Sequence, residues 1–220
     1  MNVLMKKKLK FMIYKFIAIE GNIGSGKTSL SKKLAQDFKS ELILESFAEN
    51  PFLPKFYKEP SKYGLSLELF FMAERYHQLK DKSVDDLFLP TKVSDYFFMK
   101  SKIFAKTNLK SNELLLFNRL FDIMLSSLPN PSLLIYLHAN TKRLQENIKK
   151  RGREFELDIK DEYLQSIENS YFDYLKKQRK FPVLILDVSN VDFVENKSIY
   201  LKIKSLMSNS YKVGLHQIKI

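Results

Sequence analysis

Short apolar runs alternate along the chain with segments of helical periodicity. Residues 16–19, 133–137 and 182–186 are continuous apolar runs, and residues 42–44 form a shorter one. Runs without polar alternation are typical of strands buried on both faces of a parallel sheet. Between them, apolar residues recur at helical spacing. The helices predicted from this spacing include residues 65–79, 94–106, 113–125 and 161–178, a helix from Thr141 and one from near Glu195.

This alternation predicts an α/β fold, a parallel sheet of about five strands with helices on both faces. The 220 residues contain no repeat, low-complexity linker or composition break, and this length suits one domain. We therefore predict a single domain over residues 15–220, preceded by a basic extension over residues 1–14.

Composition narrows the function classes. The chain contains no cysteine, which excludes disulfides and cysteine-ligated zinc. Its net charge is +12, but the basic residues are spread along the whole chain, so we expect no nucleic-acid partner and a field that suits an anionic ligand. No apolar run approaches the roughly 20 residues of a membrane span. We expect no membrane partner and a cytoplasmic protein.

A glycine-rich loop lies between the first predicted strand and a first predicted helix, whose periodicity runs through Leu30, Leu34 and Phe38. The loop fits the P-loop pattern G-x-x-x-x-G-K-[ST]. In such loops, backbone N–H groups form an anion nest at a helix N-terminus. Lys27 is expected to reach the β- and γ-phosphates of a nucleoside triphosphate, and the Thr28 hydroxyl to ligate Mg²⁺. The phosphate-binding residues are Gly21-Asn22-Ile23-Gly24-Ser25-Gly26-Lys27-Thr28.

Glu45 closes the second predicted strand. Ligands of parallel sheets lie outside the carboxyl ends of the strands, so Glu45 is expected to face the same crevice as the P-loop. Position alone leaves two interpretations open: a general base that accepts a hydroxyl proton, or a surface carboxylate paired with a lysine.

The P-loop region also resembles a known family. Residues 19–28 are similar to the extended P-loop of the deoxynucleoside kinases, particularly the bacterial ones that act on deoxyadenosine, deoxyguanosine or deoxycytidine. Glu45-Ser46, followed by residues 49–53, resembles the segment that opens with the family's catalytic base. The resemblance covers about residues 15–196. It implies an enzyme that uses ATP and Mg²⁺, with Glu45 as the base that activates the 5′-hydroxyl of the nucleoside.

Two further segments resemble the family's substrate helices and lid. Residues 56–60 and 67–75 match the substrate helices, which implies that Tyr57 binds the sugar 3′-hydroxyl and that Arg75 lies by the base. Residues 150–153, followed by Glu156, resemble the lid. The resemblance implies that Arg151 and Arg153 bind the transferred phosphoryl group. It also implies that Glu156 binds the sugar 3′-hydroxyl together with Tyr57.

The chain departs from the family pattern at two places. Counting back from Asp95, which matches an aspartate at the base-binding end, places the family's acidic-Arg-Ser triplet on Leu89-Pro90-Thr91. Neither carboxylate nor arginine is present there, although Lys92 is a candidate for the charge and Asp85 or Asp86 for the metal. The glutamine that pairs with the base is Glu68 here. Ionised glutamate only accepts hydrogen bonds. Glu68 is therefore expected either to favour a base that presents an amino donor or to pair with Arg75.

These residues lead to a working hypothesis of 5′-phosphorylation of a deoxyribonucleoside. Two alternatives stay open: a relative that lost catalysis and serves as a nucleotide-binding interaction or structural protein, and a nucleoside monophosphate kinase. The resemblance also implies a homodimer, to which the predicted helix over residues 94–106 is expected to contribute unless its aromatic side chains simply pack in the core.

Overall fold

The computed structural model describes residues 13–47, 49–80 and 91–220. In this part of the chain the strands are β1 (Phe16–Gly21), β2 (Glu41–Ile43), β3 (Lys92–Ser94), β4 (Leu133–His138), β5 (Pro182–Asp187) and β6 (Gly214–Lys219). They form one parallel sheet in the order β2-β3-β1-β4-β5-β6. β1 therefore lies between β3 and β4, where the strand order reverses. Ligands of such sheets bind at this point.

Helices cover both faces of the sheet. They are α1 (Lys27–Phe38), α2 (Leu53–Lys58), α3 (Pro60–Leu79), α4 (Lys100–Asn108), α5 (Ser111–Leu125), α6 (Thr141–Arg151), α7 (Asp161–Leu175) and α8 (Lys197–Leu206), with a 3₁₀ turn at Glu154–Glu156. Ile17 and Ile19 of β1 pack in one core with α1, α6 and α8. Phe16 and Ala18 pack in a second core with α3, α4, α5 and α7. The predicted α/β fold, with β1 buried on both faces, is confirmed.

The sheet has one more strand than predicted. β6 lies at the edge of the sheet and pairs only with β5 in the described part of the chain. Its residues alternate between half-buried and exposed positions, so it lacks the apolar run by which the inner strands are recognised.

Two predicted boundaries are wrong. The helix predicted over residues 94–106 begins at Lys100, because Ser94 still pairs with Ala18 of β1 as the last residue of β3. Tyr14 falls in the predicted basic extension, but the residue is 8% exposed and packs in the first core. Its hydroxyl donates to the carbonyl of Asn209 at 2.8 Å. Residues 1–12 of that extension lie outside the described residues.

Candidate active site

The loop between β1 and α1 has the backbone shape of an anion nest. Gly24 and Gly26 adopt φ angles of +82° and +91°, which residues with a Cβ rarely enter. A Cβ on Gly26 would lie 2.7 Å from the ring of Phe193. α1 begins directly after the loop at Lys27, so the loop N–H groups and the positive end of the helix meet at one place. The predicted position of the loop, between the first strand and the first helix, is confirmed.

Lys27 is half-buried beneath this loop. Its Nζ donates to the carbonyl oxygens of Gly21 at 2.9 Å and Asn22 at 2.8 Å. Partial burial and the nearby Lys100 lower the pKa of Lys27 to about 7, although neighbouring carboxylates act in the opposite direction. A phosphate beside Lys27 would favour its charged form.

Asp95 follows β3 directly and contacts the P-loop. Its Oδ2 accepts a hydrogen bond from the Thr28 hydroxyl at 2.5 Å, and its Oδ1 accepts from the backbone N–H of Glu45 at 2.9 Å. Two hard oxygen ligands therefore lie side by side beside the loop. Mg²⁺ in phosphate sites is commonly held by such a small protein set together with phosphate oxygens. In the described ranges, no group of three or more His, Cys, Asp or Glu side chains forms a metal site.

The position of Asp95 corrects the predicted triplet. β3 begins at Lys92, so Thr91 precedes the strand, and Leu89 and Pro90 lie outside the described residues, as do Asp85 and Asp86. The residues after β3 are Asp95-Tyr96-Phe97. The carboxylate at the strand end is therefore present, and only the arginine and serine are replaced. Asp95 contacts Thr28 of the P-loop, whereas the resemblance matches it to an aspartate at the base-binding end.

Glu45 lies just beyond β2 and is held by two cations. Its Oε1 accepts from Nε and Nη2 of Arg75 at 2.8 and 2.6 Å, and its Oε2 accepts from Nζ of Lys100 at 2.6 Å. Burial alone would raise the pKa of Glu45, but Lys100 and Arg75 outweigh it and hold the pKa far below its usual range. Glu45 is therefore an ionised carboxylate at neutral pH, as a proton acceptor must be.

Lys100 is a site residue that the sequence analysis did not identify. Its side chain is 7% exposed and ends at Glu45. Lys92, the predicted source of the missing charge, is instead in register with Phe16 and Glu41, at the amino ends of their strands and away from the P-loop. Nothing in the neighbouring sequence distinguishes Lys100 from Lys92. Lys100 is the first residue of α4, and it reaches the crevice because the chain turns after β3. Sequence spacing does not reveal this turn.

A first cavity brings together every residue predicted to bind or activate the acceptor. It encloses about 790 Å³ including space open to solvent, within the range of small-molecule sites. Its lining includes Lys27, Thr28, Glu45, Tyr57, Glu68, Arg75, Asp95, Arg151, Arg153 and Glu156. Arg75 and Glu68 do not pair, contrary to one of the expectations. Nη1 of Arg75 donates to Ser101 Oγ at 2.7 Å, and Glu68 Oε1 accepts from Asn108 Nδ2 at 2.7 Å.

The predicted lid residues form one ion-pair cluster. α6 ends at Arg151, and Gly152 turns the chain with a φ of +69°. Glu156 is 4% exposed, and its two carboxylate oxygens accept from Arg151 and Arg153. The ring of Tyr57 stacks on Phe155 with 6.1 Å between centroids. Tyr57 and the lid therefore lie on the same side of the first cavity.

A second cavity of about 1190 Å³, again including open solvent, lies on the other side of the P-loop. It is lined by loop residues 24–26, by α6 and by the segment 191–194. Arg143, Asn147 and Asp192 of this lining were not identified from the sequence. Four residues line both cavities: Lys27, Thr28, Arg151 and Arg153. The two cavities thus meet where the P-loop lysine and the lid arginines converge.

Comparison with known proteins identifies the family. The family model described as deoxynucleoside kinase matches residues 17–211, nearly the whole described chain. The chain belongs to the deoxynucleoside kinase family. It is therefore a kinase that phosphorylates nucleosides.

Curated and solved deoxynucleoside kinases are similar over most of their length. The chain is 37% identical over 195 residues to a deoxyguanosine kinase of Bacillus subtilis, covering 86% of this chain and 93% of that one. It is 28% identical to a deoxyadenosine/deoxycytidine kinase of the same organism, covering 83% and 86%. The structure of deoxyadenosine kinase from M. mycoides with bound dCTP superposes with a TM-score of 0.76 at 26% identity, covering 88% of this chain and all of that one.

Among the described residues of this deoxynucleoside kinase, no helix combines the length and apolar character that crossing a membrane takes.

Proposed function

We propose that this kinase transfers the γ-phosphoryl group of ATP to the 5′-hydroxyl of a deoxyribonucleoside. The observation that carries the proposal is the meeting of two cavities at Lys27, Thr28, Arg151 and Arg153, with Glu45 lining only the first of them. Donor phosphates at the P-loop and an acceptor hydroxyl beside Glu45 would then approach each other at this junction. Holding two reactants in this way contributes much of the rate enhancement in phosphoryl transfer.

The side chains divide the work of transfer between them. Glu45 takes the proton of the 5′-hydroxyl as that oxygen bonds to phosphorus and the bond to the leaving ADP breaks. Lys27, Arg151 and Arg153 stabilise the charge of the phosphoryl group, for which guanidinium groups offer bidentate donors. ATP supplies the phosphoryl group. Thr28 and Asp95 are the residues that would hold Mg²⁺, which when bound would neutralise part of the charge of the ATP phosphates.

A direct assay tests the proposal. The protein is incubated with ATP, Mg²⁺ and each of the four deoxynucleosides, with deoxynucleoside monophosphates as alternative acceptors, and the products are separated by chromatography. We expect a 5′-monophosphate from at least one nucleoside. Product from monophosphates alone would indicate a nucleoside monophosphate kinase. ATP binding without transfer to any acceptor would favour the nucleotide-binding relative that lost catalysis.

We propose that the chain forms a homodimer, as the resemblance implies, but through α5 and not through the helix predicted over residues 94–106. The aromatic residues Tyr96, Phe97 and Phe98 are at most 3% exposed, so they pack in the core and do not offer a surface. α5 instead exposes one apolar stripe. Its side chains are Leu115, Leu116, Leu120 and Ile123, exposed by 56%, 49%, 36% and 72%. Contiguous apolar patches of this kind commonly mark interaction sites.

Charge introduced into the α5 stripe is expected to separate the dimer. The double substitution Leu116→Glu and Ile123→Glu would bury two carboxylates at a two-fold interface, so the measured mass should fall from two chains to one in size-exclusion chromatography with light scattering. Leu201→Glu, at a side chain that is 48% exposed on α8, is the matched control and should leave the dimer intact. A monomeric unmodified protein would contradict the proposal.

A further inference from the structure

The lining of the first cavity includes a buried carboxyl group, one of whose oxygens has no hydrogen-bond partner among the described residues. Glu68 is 1% exposed and lines the cavity. Its Oε1 accepts from Asn108, whereas Oε2 is buried without a hydrogen-bond partner among the described residues. An unpaired buried polar atom is costly. Because this atom lies in a ligand cavity, it indicates a partner that the ligand supplies.

The surroundings of Glu68 determine what that partner must be. The Tyr163 hydroxyl donates to Asn108 Oδ1 at 3.0 Å, which turns the Asn108 amide nitrogen toward Glu68. One oxygen of the carboxylate is therefore already supplied with a donor, and the ionised group accepts further donors only. Arg75 lies seven positions further along α3 and lines the same cavity. Its contacts with Glu45 and Ser101 use three of five N–H groups, which leaves two for a ligand acceptor.

The four nucleobases meet this pair differently. Guanine presents two adjacent donors, N1–H and the 2-amino group, next to the acceptor O6. Adenine and cytosine instead present a ring-nitrogen acceptor beside their amino group, which sets a lone pair against the carboxylate. Thymine presents a single N–H between two carbonyls. Only guanine offers two donors to a carboxylate while offering an acceptor to a neighbouring guanidinium.

We propose that Glu68 makes this kinase selective for guanine, by accepting from N1–H and the 2-amino group while Arg75 donates to O6. The inference rests on the proposed function, because it concerns the acceptor in the same cavity. The names of the similar kinases include deoxyguanosine, deoxyadenosine and deoxycytidine, so they leave the base open. Sites that hydrogen-bond a substrate group reject analogues lacking it by up to about 10⁴- to 10⁵-fold.

The experiment compares kcat/KM for deoxyguanosine, deoxyinosine, deoxyadenosine and deoxycytidine. We expect deoxyguanosine to exceed deoxyadenosine and deoxycytidine by about 100-fold or more, with deoxyinosine between them because it keeps N1–H and O6 but lacks the 2-amino group. Glu68→Gln has the same shape but both donates and accepts, as adenine requires. It should lower the ratio of deoxyguanosine to deoxyadenosine by at least about 100-fold. Glu195→Gln, an equal change of charge at an exposed position before α8 that lines neither cavity, should leave the ratio unchanged.

The pH dependence gives a second readout. Burial raises the pKa of Glu68 to about 7, although Arg75, Asn108 and Lys100 lower it and Glu45 raises it. Tyr57 and Tyr163, which also face Glu68, have pKa values raised by burial and stay neutral. The acceptor-only carboxylate thus predominates above about pH 7 and the donating acid below it. The deoxyguanosine to deoxyadenosine ratio of kcat/KM should fall from pH 8 to pH 6, whereas titration of Lys27 affects both nucleosides alike and cancels.

The outcomes separate this inference from the proposed function. Two results would overturn the guanine inference: phosphorylation that favours deoxyadenosine or deoxycytidine, or a base preference that Glu68→Gln leaves unchanged. Neither result would contradict the proposed kinase activity. If no nucleoside were phosphorylated, the proposed function would fail, and calorimetric nucleoside binding would still test the base. Binding of deoxyguanosine that Glu68→Gln weakens selectively would support the inference, and equal binding of all four nucleosides would refute it.

Discussion

Glu45→Gln is expected to lower kcat by about 10²- to 10⁴-fold, the usual contribution of a positioned general base, while the affinity for ATP stays nearly unchanged. The reason is geometric, because Glu45 lines the first cavity and not the second. Kinetics with a deoxynucleoside, together with ATP binding by calorimetry, measure both quantities. Equal loss of turnover and ATP affinity would refute the assigned role.

Two controls guard this result against a structural explanation. Removing the Glu45 charge leaves Arg75 and Lys100 without their shared partner, and a broken buried pair destabilises a protein strongly. Thermal unfolding of the variant therefore accompanies the kinetics. Glu45→Asp keeps the charge but shortens the side chain, so it should retain more stability than Glu45→Gln while still losing turnover.

The same ion pairs predict a pH effect for Lys100, which we assign as a positioning residue. Lys100 and Arg75 depress the pKa of Glu45, so the unmodified enzyme should show no loss of kcat/KM from Glu45 protonation down to about pH 5. In Lys100→Met the pKa of Glu45 rises, because one of the two cations is gone. The loss of kcat/KM toward acid pH should then begin at a higher pH in Lys100→Met than in the unmodified enzyme. A merely lower rate with an unshifted profile would contradict this assignment.

Asp95→Asn is expected to raise the half-saturating Mg²⁺ concentration by at least about 10- to 100-fold, the loss that removing a group which only orients a metal ligand already causes, and to lower kcat. Asparagine keeps the acceptor for the Glu45 N–H but removes the charge that faces Thr28. Mg²⁺ titrations of activity and Mn²⁺ binding to the ATP complex measure the change. Asp173→Asn, at an exposed aspartate paired with Lys106, is the control. An unchanged Mg²⁺ requirement would exclude Asp95 from the metal site.

The local parts of the site could be predicted from the sequence because their chemistry is contiguous in the chain. Residues 21–28 carry the glycines, the lysine and the threonine within one loop, and the flanking apolar run and helix periodicity give its context. The predicted lid residues are also close together, since Arg151, Arg153 and Glu156 lie within six positions and form ion pairs with one another. Neither prediction required knowledge of how distant elements pack.

Errors arose where a short or edge element carried little hydrophobic signal. β3 has only three residues, including Lys92 and Ser94, so its end was assigned too early and Asp95 was matched to the wrong part of the site. β6 alternates in exposure at the sheet edge and was not predicted. The aromatic residues Tyr96, Phe97 and Phe98 after β3 are of the kind that is common at interfaces, yet they pack in the second core.

The sequence by itself determined the α/β class and the position of the P-loop, because strand burial and glycine conformation are properties of neighbouring residues. Only the tertiary structure decided which groups meet across the crevice. Thr28 contacts Asp95 from 67 positions away, Glu45 pairs with Lys100 from 55, and Glu68 faces Asn108 from 40. These pairings depend on strand order and on how each helix is rotated against the sheet, and the hydrophobic pattern specifies the buried face of a helix but not its partner.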